Sequence, residues 1–88
     1  VLNLNAAHLP PRSADIAPAH LAFLDPPYGQ GLATTTLISL QQGEWLTQKA
    51  FIVVETAKTE DFSAPAPYTL ADQRNYGRAR ISFLQIWE

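Results

Sequence analysis

Residues 20–30 read HLAFLDPPYGQ. Leu21, Ala22, Phe23 and Leu24 are apolar at every position, the pattern of a strand buried on both faces in a parallel sheet. Four apolar residues alone fit a helix equally well. Pro26 decides between them, because it disfavours the helical conformation at Asp25 just before it. The run is therefore a strand that ends in a carboxylate. A second run, Phe51, Ile52, Val53 and Val54, ends in the same way at Glu55-Thr56. Between the two, Ala33, Leu37 and Leu40 recur at helical spacing within 31–42, and Gly43 is placed to cap that helix. The threonines at 34–36 lower its intrinsic propensity. Strand, helix and strand make a βαβ unit.

Around this unit the signals are shorter. Residues 1–5 alternate apolar and polar as a brief strand would, and Pro10-Pro11 stops any regular element before a loop over 12–18. Trp45-Leu46 is expected to tuck under the sheet, with a turn at 47–49. Residues 59–62 allow a helical turn until Pro65 and Pro67 forbid more. Segments 68–75 and 78–87 then read as an antiparallel hairpin broken at Tyr76-Gly77. In its second arm Ile81, Phe83 and Gln85 face one way, and Ser82, Leu84 and Ile86 the other. The expected fold is α/β, with two parallel strands plus a C-terminal antiparallel hairpin.

Eighty-eight residues make at most one small domain. With 47% hydrophobic and 16% charged residues the composition is globular. The absence of cysteine excludes a disulfide framework, a thiolate metal site and a cysteine nucleophile, and fits a reducing cytoplasmic setting. No apolar stretch reaches the roughly 18–20 residues of a membrane span, and the N-terminus lacks the basic region of a signal peptide. A chain that begins with Val1 is expected to be an excised piece or a processed product. The net charge of −2 argues against a domain coated for nucleic acid. Yet Arg74, Arg78 and Arg80 cluster near the C-terminus, where only Glu88 is acidic. Such a patch either contacts phosphates or merely keeps a hairpin soluble. His8 and His20 lie apart without a third ligand, so no metal site is expected.

In open α/β sheets, ligands sit beyond the carboxyl ends of the strands. Asp25 and Glu55 occupy such ends. After Asp25, Pro26 and Pro27 remove two backbone donors and fix two φ angles, which leaves carbonyl oxygens without competing amides. Carboxylate plus bare carbonyl forms an acceptor pocket suited to an –NH₂ group, and Tyr28 offers a ring to stack on a planar partner. A blander role for Asp25, capping the following helix, fits the same spacing. Glu55 equally suits an ordinary strand-end acid, while Trp45 and Trp87 suit packing.

Asp25-Pro26-Pro27-Tyr28 is similar to the motif of S-adenosylmethionine-dependent methyltransferases that modify exocyclic amines of bases. The ordered series FLDPPYGQGL, GEWL, FIVVET and NYGRARISFL resembles the C-terminal part of the RsmD-type 16S rRNA guanine-N(2) methyltransferases, over nearly all of 1–88. The resemblance implies a Rossmann-like sheet. It implies that Asp25 and the Pro26 carbonyl accept hydrogen bonds from the target amine, with Pro27 holding the loop rigid and Tyr28 stacking on the base. It further implies that Arg74, Arg78 and Arg80 contact phosphates of 16S rRNA or of a small-subunit assembly intermediate, and that Asn5, standing where the family carries an aspartate, hydrogen-bonds the cofactor adenine.

The family's Gly-rich cofactor turn has no counterpart here, the glycines being Gly29, Gly31, Gly43 and Gly77. The expectation is thus a single partial domain over 1–88 with its cofactor-binding half absent, inactive alone. Its strand at 21–24 would be an open edge through which it self-associates or pairs with a separate fragment carrying the missing half. The alternatives are a fragment of a DNA adenine amino methylase and a small non-catalytic interaction module.

Overall fold

The computed structural model describes residues 2–4, 11–25 and 32–86. One five-stranded sheet runs in the order β1-β2-β3-β5-β4, formed by β1 (Leu2–Leu4), β2 (Ala19–Leu24), β3 (Leu46–Ala57), β4 (Tyr68–Tyr76) and β5 (Ala79–Ile86). The single described helix, α1 (Leu32–Gln42), joins β2 to β3. β1, β2 and β3 are parallel, and β5 and β4 complete the sheet antiparallel. The α/β expectation holds, with three parallel strands where the apolar runs gave two.

That third strand corrects the expected free edge. β1 pairs with β2 at Ala22, Phe23 and Leu24, so these residues are flanked on both sides and offer no open ladder for self-association. The edges are β1 and β4. The burial of the apolar runs also differs from expectation. Ala22, Leu24, Ile52 and Val54 are buried, but Leu21, Phe51 and Val53 are only half-buried and Phe23 is 40% exposed. One face packs against Ala33, Leu37 and Leu40 of α1 in a single core with Leu84 and Ile86. On the other face Phe23, Val53 and Phe83 align across three strands, and Phe51 meets Phe83 at 6.4 Å between ring centroids. A continuous apolar run reports two apolar faces; it does not report whether a second layer covers both.

The helix end shows how local chemistry sets the crossover. Trp45 N–H donates to the Leu40 carbonyl (3.0 Å) and Glu44 N–H to that of Gln41 (3.3 Å), the two bonds of a Schellman motif. The left-handed position of that motif falls to Glu44 (φ 58°), not to Gly43. Gly43 is required for another reason: a Cβ there would lie 2.8 Å from Trp45 Cδ1 and 3.1 Å from the Ser39 carbonyl oxygen. The indole packs over the glycine and against the core. Arg12 then ties the preceding loop to this corner. Its backbone N–H donates to the Gly43 carbonyl (2.9 Å), its Nε to that of Glu44 (2.8 Å), and Nη1 to Ile16.

Two further expectations change. Residues 47–49 are not a turn but an irregularity inside β3, where two residues of β2 span five of β3 and Lys49 takes a φ of 63°. Residues 59–62 form a turn and bend, with no helix. The hairpin is as expected. Tyr76 pairs with Ala79 around Gly77-Arg78, and Gly77 alone takes positive φ (56°), the pattern of a II′ turn. In β5, Ser82, Leu84 and Ile86 are buried, and Ile81, Phe83 and Gln85 half-buried, in the expected alternation. Tyr68 fastens β4 to the helix, its buried hydroxyl donating to the Leu37 carbonyl at 2.7 Å.

Two predictions follow from these contacts. Glu44→Gly is expected to raise stability by about 0.5–1 kcal/mol by relieving the left-handed position, and Gly43→Ala to lower it by about 1–3 kcal/mol through the indole clash, both read from urea midpoints. Burial holds the Tyr68 phenol well above its ordinary value of 10.0. Its stabilising contribution is therefore full below pH 10 and lost as the pH rises beyond it. Tyr68→Phe should cost about 1 kcal/mol at neutral pH and remove this alkaline loss, in urea titrations between pH 7 and 11.

Candidate functional site

The carboxyl ends of the parallel strands define one end of the sheet. Leu24 pairs with Val54, which brings Asp25 and Glu55 to neighbouring positions there. Asp25 is exposed and Glu55 half-buried within β3. Both acids thus border the end where ligands of open α/β sheets sit. Pro26, Pro27, Tyr28 and Asn5, with which the motif was to form a pocket, lie outside the described residues.

β3 continues beyond this level to Ala57, with Thr56 opposite Arg80 and Ala57 opposite Ala79. The extension carries the hairpin turn past the end of β2, by about 10 Å at strand spacing for three residues. Arg78 therefore stands at the same end of the sheet as Asp25. There its carbonyl accepts from Lys58 N–H at 2.7 Å. Ala57, Lys58, Thr59, Gly77 and Arg78 line an open cleft of about 520 Å³. Lys58 and Arg78 are both exposed, so the cleft presents two cationic side chains and a hydroxyl.

The three arginines do not form one patch. Arg74 pairs with Ile81, on the face of Glu55 and Phe83, whereas Arg80 pairs with Thr56 and Asn75 on the face of α1. Arg74 is also engaged with Asp72, at 3.2 Å from Nε and from Nη2 to Oδ2. The Asp72 carboxyl is held below its ordinary range, first by the Gln73 backbone N–H and then by Arg74. Arg80 Nε donates to Asn75 Oδ1 at 3.0 Å. Only Arg78 of the three belongs to the cleft. Sequence reasoning missed its partner Lys58, because the two residues are twenty positions apart and meet only through the β3–β5 register. It also missed Thr56, whose buried Oγ1 lacks a hydrogen-bond partner.

Among the described residues no group of His, Asp and Glu is arranged to hold a metal, and no helix is long and apolar enough to cross a membrane. A cradle for a nucleotide-like cofactor needs glycine after a strand, where backbone approaches the ligand. The described glycines are committed elsewhere: Gly43 lies under Trp45 and Gly77 turns the hairpin. Gly29 and Gly31 lie outside the described residues, which therefore leave no glycine for such a cradle.

The family model described as Conserved hypothetical protein 95 matches residues 1–85. The Ribosomal RNA small subunit methyltransferase D of Buchnera aphidicola is 36% identical over 53 residues, covering 60% of this chain and 28% of the relative. The protein of the same description from Haemophilus influenzae is 35% identical over 57 residues, covering 65% and 30%. A crystal structure described as a methylase from Haemophilus influenzae superposes with a TM-score of 0.72 at 32% identity, over 78% of this chain and 43% of that one. The chain thus spans less than a third of the length of these curated relatives.

Proposed function

The chain belongs to the Conserved hypothetical protein 95 family, and we propose that it supplies the amine-holding and RNA-contacting part of an S-adenosylmethionine-dependent methyltransferase that modifies the exocyclic amine of a guanine in 16S rRNA. The observation that carries this reading is the shared sheet end. The Leu24–Val54 register and the long β3–β5 ladder bring a strand-end carboxylate and a cationic cleft to the same side of the molecule. The relatives named as rRNA methyltransferases support the substrate class.

In this reading Asp25 accepts a hydrogen bond from the target –NH₂. A carboxylate acceptor raises electron density on the nitrogen and fixes the direction of its lone pair, so the gain comes from orientation and from charge placed in advance. Exposure suits the task, since the amine arrives on a macromolecule. Pro26 and its carbonyl, the rigid Pro27 and the ring of Tyr28 complete the acceptor pocket and the base stack, in the roles the family motif gives them. Lys58 and Arg78 neutralise phosphates beside the target nucleotide. Such contacts position the RNA without reading its sequence. Arg74 and Arg80 take up further phosphates on either side of the hairpin. Asn5 would supply a hydrogen bond to the adenine of the methyl donor, in the role the family resemblance gives it, and the setting is the cytoplasm.

In the full-length gene product, Asp25→Ala is expected to reduce methyl incorporation into 16S rRNA at least a hundredfold while leaving RNA affinity within about twofold. Wild-type activity on the guanine amine that survives this substitution would overturn the role of Asp25. The 88-residue chain alone is expected to show no binding heat with S-adenosylmethionine in the micromolar range by calorimetry. Micromolar affinity would contradict the division of labour proposed here.

A further inference from the structure

β4 contains one extra residue. Leu70 pairs with Leu84 and Asp72 already with Phe83, so Ala71 is a bulge and the alternation of β4 inverts after it. Without the bulge, Asp72 and Arg74 would follow Leu70 onto the α1 side of the hairpin. With it, that ion pair is turned to the opposite face, and Gln73 and Asn75 stand on the α1 side instead, beside Ser82 and Arg80. Gln73 Nε2 donates to Ser82 Oγ at 3.0 Å, and Asn75 Oδ1 holds Arg80 Nε.

The result is a groove of about 470 Å³ between the hairpin and the segment after β3. Phe62, Ala64, Tyr68 and Leu70 form its apolar part and Gln73 and Arg80 its polar end. None of the residues lining it carries a carboxylate. Phe62 and Ala64 rest against the core, so that wall is fixed by packing, whereas Leu70 is 48% exposed. Directly across the ladder from Arg80 lies Thr56, whose buried hydroxyl has no partner. Arg80 follows Arg78 of the cationic cleft by two residues, about 7 Å at strand spacing.

We propose that this groove takes one nucleotide of single-stranded RNA next to the modified one. Its base lies against Phe62 and Leu70 and its phosphate on Arg80, while the neighbouring phosphate occupies the Lys58–Arg78 cleft. The inference rests on the RNA-binding reading above and extends it to a second, base-holding subsite. An apolar wall beside a guanidinium, with no carboxylate among its lining residues, matches a nucleotide in charge and shape. An acidic or apolar peptide would satisfy only one half of the groove.

The test is fluorescence anisotropy of the full-length gene product with a labelled single-stranded RNA spanning the methylated site. Leu70→Glu at an exposed position and Arg80→Gln at a half-buried one are compared with Arg78→Gln. Each of the first two is expected to weaken binding at least fivefold. One abasic nucleotide flanking the target should weaken wild type similarly and leave Leu70→Glu unchanged. If Arg78→Gln weakens binding while Leu70→Glu and Arg80→Gln match wild type, the groove is not an RNA subsite, although the RNA reading stands. If wild type itself does not bind the RNA, both are overturned.

Discussion

The pairing of Leu24 with Val54 across the two central parallel strands is the constraint from which the rest of the molecule follows. Side chains alternate along a strand, so a slip of one residue would turn Leu24 out of the core and carry every neighbour with it. In the observed register, Ala22, Leu24, Ile52 and Val54 all join one core with Ala33, Leu37 and Leu40 of α1. The same register ends β2 at an exposed acid and lets β3 run three residues further. The long ladder from Phe51 to Ala57 then fixes where the hairpin turn stands. Core and candidate site are two consequences of one alignment.

That alignment also leaves an imbalance. Parallel strands are ordinarily covered on both faces, and among the described residues a helix covers only the α1 face. Phe23 at 40% exposure, with Phe51, Val53, Ile81 and Phe83 half-buried, forms an apolar surface on the other side. The chemistry is uneven in the same sense: a strand-end carboxylate and exposed cations stand at one sheet end, while the described glycines serve the helix end and the hairpin turn.

What was legible in the sequence was what neighbouring residues decide. Pro26 marks the end of a strand, Gly77 marks a turn, and alternation in β5 marks its faces; all three hold. The acid at the end of β2 was found in the same way. Properties that depend on distant pairing were not legible. Arg74, Arg78 and Arg80 look like one patch in the chain, but the pleat and the bulge at Ala71 distribute them over two faces and a turn. Lys58 joins Arg78 only through the ladder. Gly43 was identified correctly as a helix-end residue, and only the structure shows why glycine is needed there: the indole of Trp45 demands its missing side chain, while Glu44 bears the left-handed angle. Likewise Arg12, one more cation in the sequence, spends its donors on backbone carbonyls of its own loop and of the helix corner.

The proposed function gathers its catalytic and phosphate contacts around Asp25 and the hairpin turn, with the groove of Phe62 and Leu70 beside them, and ultraviolet crosslinking of 16S rRNA to the protein, with the attached residues identified by mass spectrometry, tests that most directly. Crosslinks confined to the surroundings of Asp25, Lys58, Arg78 and Arg80 and to the groove of Phe62 and Leu70 are the predicted result. Crosslinks concentrated at the opposite end, around Gln41, Glu44 and Gln48, would contradict it.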